Sequence, residues 1–210
     1  MPETRRARST TAQALAPAIE PALGLLEIDS VAVGIAAGDA MAKRSPIEVL
    51  RAGTVHPGKY LVLVGGTVAD VDEALDAGRE LGGIFIRDEV FLPNIHPEVV
   101  TGIRGLRHAA DGEALGVIET ETVAAVIRAA DAGLKGAQVR LLELRLADDL
   151  GGKAYLLFDG AIAEVETAVE IGVSQITAAR GLTWRVIAQL HAEMAENLAE
   201  DARFAARVGS

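Results

Sequence analysis

The chain contains one stretch twice, and this duplication constrains the fold more than composition can, because a single architecture must satisfy both copies. ALGLLEIDSVAVGIAAGDAMAKRSPIEVL starts at Ala22 and returns at Ala114 as ALGVIETETVAAVIRAADAGLKGAQVRLL. Leu23/Leu115, Gly24/Gly116, Glu27/Glu119, Val31/Val123, Ile35/Ile127, Asp39/Asp131 and Lys43/Lys135 stand in register. The register resumes as GKYLVLVGGTVADVDEALDAG against GKAYLLFDGAIAEVETAVEIG, now two residues further apart, through Gly58/Gly152, Lys59/Lys153, Gly66/Gly160 and Gly78/Gly172. The extra residues of the second copy are expected in the loop between these blocks. Two copies of long period indicate duplicated domains, since a solenoid needs three or more short repeats. Function is to be sought where the copies differ.

A chain of 210 residues accommodates two small domains. Half of its residues are apolar but only 3% are aromatic, so the cores must be built from Ala, Val, Leu and Ile. Mean hydropathy is positive, yet no uninterrupted apolar run approaches the roughly eighteen residues of a spanning helix. The reading is a soluble chain that covers apolar surface with other subunits. A net charge of −10 opposes nucleic-acid binding, which needs a basic face. The absence of cysteine removes thiolate catalysis, disulfides and all-cysteine metal sites together.

Residues 1–20 carry Arg5, Arg6 and Arg8 and then an Ala/Pro stretch, which reads as a flexible basic tail. The first unit spans 21–105 and reads strand, helix, strand, loop, strand, helix, with Ser30 as a helix cap and Thr67 with Asp70 resembling a capping box. IFIRDEVFL follows as an alternating strand, then a turn at Pro93-Asn94 and a short amphipathic tail. Residues 106–112 form the linker, and the second unit covers 113–179. In that unit Val123, Val126, Ile127, Ala130 and Leu134 share one helical face after the cap Thr122. Residues 180–210 read as a C-terminal amphipathic helix, because Trp184, Ile187, Leu190, Met194 and Leu198 recur at three- or four-residue spacing.

Motifs for catalysis are not found. There is no phosphate-binding G-x-x-x-x-G-K-[ST] loop, no complete dinucleotide fingerprint and no serine in a nucleophile elbow. His56, His96, His108 and His191 stand in unrelated contexts without metal-ligand spacing. The expectation is a protein that is not an enzyme.

The sequence ALGVIETETVAAVIRAADAGLKGAQVRLLELRLADDLGGKAYLLFDGAIAEVETAVEIG resembles a bacterial microcompartment shell (BMC) domain. The first copy, with ALGLLEI, GDAMAK, HPGKYLVLVGG and FLPNIHPEV, matches the same pattern. Together they resemble the tandem-domain, trimer-forming (BMC-T) members of that family, most closely the T-type of propanediol-utilising compartments. The resemblance implies an α+β fold of two tandem shell domains, each a small antiparallel sheet with flanking helices, assembled as a pseudohexameric homotrimer. It implies a structural tile of a microcompartment shell in the bacterial cytoplasm, with a central pore for a metabolite or ion. Partners would be other shell proteins and encapsulated enzymes, with neither nucleic acid nor membrane among them.

In this family the loop between the second and third strands lines the pore. The resemblance therefore assigns His56, Pro57 and Gly58 from one copy, and Asp148, Asp149, Leu150, Gly151 and Gly152 from the other, to the pore. Relatives of the T-type hold an iron–sulfur cluster through a cysteine before P-G-K; His56 stands there, and a chain without thiolates is expected to hold no such cluster. Three imidazoles around a threefold axis could instead hold a borderline metal, but a narrow polar constriction at His56 is the expectation. Lys43 and Lys135 occupy the family's disc-edge position, with Asn94 and His96 as further edge residues. A small-molecule-binding regulatory α+β trimer, or a carrier of a pore-bound metal or redox centre, is the alternative reading.

Overall fold

The computed structural model describes residues 22–177 and 181–200. The expected tail at 1–20 and the far end of the expected C-terminal helix, 201–210, lie outside the described residues.

Strand β1 (Ala22–Ile28) is buried along its whole length, which explains its nearly continuous apolar sequence. Ala22, Leu26 and Ile28 pack against helices of the first half. Leu23 and Leu25, one pleat away, belong to a core shared with the second half. Helix α1 (Val31–Arg44) is capped by Ser30, whose hydroxyl accepts from the Val33 amide at 3.4 Å. Strands β2 (Val49–Val55) and β3 (Lys59–Gly66) follow, then helix α2 (Val68–Gly82), a 3-10 turn at Gly83–Phe85, strand β4 (Ile86–Leu92) and helix α3 (Pro97–Ile103). Thr67 caps α2 by accepting from the Asp70 amide at 3.2 Å, while its own hydroxyl donates to the Asp70 carboxylate at 2.6 Å.

The second half repeats this order: β5 (Ala114–Thr120), α4 (Val123–Gly136), β6 (Arg140–Leu146), β7 (Ala154–Gly160), α5 (Ile162–Ser174), β8 (Leu182–Ala188) and α6 (Ala192–Glu200). Each half forms an antiparallel four-stranded sheet, ordered β2-β3-β1-β4 and β6-β7-β5-β8. Gly24 and Gly116 let a helix lie close on the central strand: a Cβ there would fall 2.9 Å from Leu75 and 2.8 Å from Val169.

One expectation is overturned. Residues 182–188 are not helical; they form β8, which pairs with β5 from Ala114↔Ala188 to Thr120↔Leu182. The run Thr-Trp-Arg-Val-Ile is rich in β-branched and aromatic residues, and without it β5 would present an unpaired edge in the middle of its half. Of that helical stripe only Met194 and Leu198 fall in a helix, α6. The second half therefore extends beyond residue 179 and closes like the first, with a fourth strand and a short helix.

Candidate functional site

The two halves meet through helix α4, which lies against the open face of the first sheet. Val123, Ala124 and Ile127 enter one cluster with Leu23, Leu25, Leu63 and Val90. All the residues placed on the apolar face of α4 are buried, and so are Ala124, Ala125 and Ala129, because the helix packs between its own sheet and that of the other half.

An ion pair sits in this joint. Lys59 Nζ donates to Glu27 Oε1 at 2.6 Å, and the two side chains are 8% and 0% exposed. The second carboxylate oxygen of Glu27 accepts from the Val123 amide at 2.8 Å, one of the first-turn donors of α4 that no intrahelical carbonyl can reach. Lys59 donates as well to the carbonyls of Glu121 and Gly152, both at 3.1 Å. Burial pushes the Glu27 carboxyl above the usual carboxylate range, opposed by Lys59 and by the amides of Val123 and Ala124.

Lys59 thereby ties the loop between β6 and β7 to the loop between β2 and β3. His56, Pro57 and Gly58 form the exposed turn that precedes Lys59. Asp148, Asp149 and Gly151 are exposed, Leu150 is half-buried and Gly152 is buried beneath them. A Cβ on Gly152 would fall 2.7 Å from the His56 carbonyl and from Pro57, so the loops touch there. A cleft of about 340 Å³ opens between them, bordered by Pro57, Gly58, Gly151, Lys153 and Arg87. The structure thus brings the eight loop residues assigned to the pore to one end of the molecule. Among the described residues no group of three or more His, Asp or Glu is placed to hold a metal. The residues at His56 do not suit an iron–sulfur cluster, for the chain offers no thiolate.

The four residues assigned to the edge divide. Lys135 Nζ donates to Asp131 at 2.6 Å and to the Asn94 carbonyl, and the His96 amide donates to the same Asp131 carboxylate at 2.8 Å. Lys43 stands apart, bonded to Asp39 at 2.5 Å, with both side chains more than half exposed. Glu98 reaches across from α3 to accept from the Leu141 amide at 2.7 Å. A Cβ on Gly102 of α3 would lie 2.9 Å from Leu141, which marks how closely that helix rests on β6.

Two features escaped the sequence reading. The Glu27–Lys59 pair was visible as conserved register with Glu119 and Lys153, but charges in apolar strands give no sign of being buried. His191 is the structural counterpart of His96, since each follows a fourth strand and precedes a short helix. Ile187-x-x-Leu190-His191 against Leu92-x-x-Ile95-His96 was the available signal.

The BMC domain profile matches residues 22–95 and 114–190. The bacterial microcompartment shell protein PduT of Citrobacter freundii is 39% identical over 161 residues, covering 77% of this chain and 87% of that protein. Among solved structures, a microcompartment protein from Desulfitobacterium hafniense superposes with a TM-score of 0.71 at 38% identity, over 82% of this chain and 97% of that one. A fused permuted hexameric shell protein of the RMM microcompartment shares the fold, with a TM-score of 0.53 at 18% identity over 75% and 84% of the two chains.

Proposed function

The chain belongs to the BMC domain family of bacterial microcompartment shell proteins, and from that premise we propose that it is a shell tile, a homotrimer in which six similar domains surround a central pore. One observation carries the trimer. The joint inside the chain uses the helix of one half and the sheet of the other; the complementary helix face is left exposed, and the complementary sheet face is open at its β8 side and elsewhere covered by α6. Val123 and Ile127 are fully buried in α4, whereas their counterparts Val31 and Ile35 in α1 are 38% and 55% exposed. On the sheet side Leu92 is 8% exposed and its counterpart Ile187 is 40% exposed. A surface that meets a different surface of the next copy is heterologous, and such contacts form a ring when the rotation closes, here after three chains of two near-equivalent halves.

On this reading the loops at His56–Gly58 and Asp148–Gly152 of three chains surround the axis. Because one loop is longer, the opening has threefold rather than sixfold symmetry. His56 lines a narrow polar constriction, with Pro57 fixing the turn and Gly58, at φ 113°, supplying a backbone conformation that suits glycine. The protein performs no catalysis; it joins other shell proteins around encapsulated enzymes, in the shell inside the bacterial cytoplasm. Sedimentation equilibrium of the full chain at micromolar concentration is expected to give a trimer. A stable monomer overturns the proposal.

A further inference from the structure

We infer that Glu119 and Lys153 form the anchor of the contact between chains, with Glu119 accepting from the first amides of helix α1 of a second copy and Lys153 holding that copy's pore-side loop. The inference rests on the trimer reading and adds to it the residues that make the joint and the chemistry they use.

Glu119 and Lys153 are the repeat counterparts of Glu27 and Lys59. In the internal joint that pair has three tasks: mutual charge compensation, capping of α4 at Val123, and fastening of the Gly152 loop. In the second half the pair is formed, with Lys153 Nζ 2.9 Å from Glu119 Oε1, but the side chains are 53% and 44% exposed. An ammonium with one carboxylate partner has donors to spare, and Glu119 Oε1 is the oxygen that Lys153 takes. The pair is complete as chemistry and lacks only the surface it would meet.

The matching surface exists on the same chain. Val31 and Val123 are equivalent first residues of helices whose caps, Ser30 and Thr122, satisfy the amides of Val33 and Ala125 and not those of Val31 and Val123. In α4 the remaining donor is met by Glu27; the equivalent donor of α1 stands on the exposed side of the molecule, beside exposed Val31 and Ile35. If the joint between chains repeats the internal one, the repeat register puts Glu119 against the partner's Val31 amide. Lys153 then meets the carbonyls of the partner's Asp29 and the partner's Gly58, the counterparts of Glu121 and Gly152. Helix α6 rests on Leu115, Leu142 and Leu157. Leu115 and Leu157 are the counterparts of Leu23 and Leu63, which α4 covers in the internal joint. The partner's α1 therefore takes the place of α6 on this face, and α6 leaves its own sheet, as α3 does where it rests on β6. A carboxylate at a helix N-terminus is also favoured by the helix dipole, and the orientation cannot be reversed.

That last point supplies the test. Glu119→Ala, Lys153→Met and the exchanged pair Glu119→Lys/Lys153→Glu are compared with the unaltered chain by sedimentation equilibrium, together with hydrogen exchange of residues 30–35 and 122–127. Both single variants are expected to raise the trimer dissociation constant tenfold or more and to deprotect 30–35 while leaving 122–127 protected. The exchanged pair should not recover assembly, because a lysine at 119 faces amide donors. Trimers as tight as the original in the single variants would overturn the inference while leaving the trimer reading intact. Full recovery by the exchanged pair would overturn it too, by showing an ion pair without a cap. A monomeric unaltered chain would instead refute the trimer itself.

Discussion

Lys59 is almost wholly removed from solvent, and its ammonium donates to Glu27, Glu121 and Gly152. A pair taken out of water contributes little net stability, but removing one partner strands the other. Lys59→Met should therefore cost about 3–5 kcal/mol, and Glu27→Gln/Lys59→Met should recover most of it. Urea denaturation at one protein concentration measures both, and equal losses in the two variants would contradict the account. The pH dependence follows from the raised Glu27 carboxyl. A raised acid binds its proton more tightly in the folded state, so its contribution is full below the ordinary carboxylate value, about 4.3. It is lost as pH rises through the elevated native value. Glu27→Gln should flatten that part of the stability profile just above pH 4.3, whereas an unchanged slope would assign it to another group.

Helices α1 and α2 are held together by an absent side chain. A Cβ on Gly78 would lie 2.4 Å from Leu26 Cδ1 and 2.8 Å from Met41 Sδ, in a cluster of fully buried residues. Alanine is the better helix former by about 1 kcal/mol, but overpacking a filled core costs about 1–3 kcal/mol. Gly78→Ala should thus lower the melting temperature, whereas Gly53→Ala in β2, with nothing within 4 Å of the added carbon, should leave it nearly unchanged. Equal effects would show that the core gives way at Gly78. The same scale explains α4 and α1. They share a motif and a length, yet one is buried nearly all round and the other on a single face, because only α4 has a second sheet to lie on.

At the scale of the whole molecule the edge lysines carry the prediction. On the proposed tile reading Lys43 and Lys135 stand at the rim where discs meet, and their aliphatic stems lie along a neighbour while the ammonium stays wet. Replacing both by Asp should leave soluble trimers that no longer form sheets, seen by negative-stain electron microscopy. Sheets of unchanged extent would remove the lysines from the edge. Sedimentation of the same sample checks the trimer, since Lys135 also bonds Asn94 and Asp131 of its own chain.

The sequence by itself determined that the chain is two copies of one α+β unit and which unit that is. Periodicity and capping are local properties, so Ser30, Thr67 and Thr122 could be read directly as caps. It did not determine the strand at 182–188, because Trp184 and Ile187 fit a helical stripe equally well, and only the open edge of β5 decides between them. Nor could it separate Glu27 from Glu119, or Lys135 from Lys43. Each pair is identical in type and register; what differs is whether another half of the molecule lies against it. Desolvation, and with it the strength of a charge, the protection of a helix end and the work of a buried lysine, is set by neighbours distant in sequence, and those neighbours exist only once the two halves have docked.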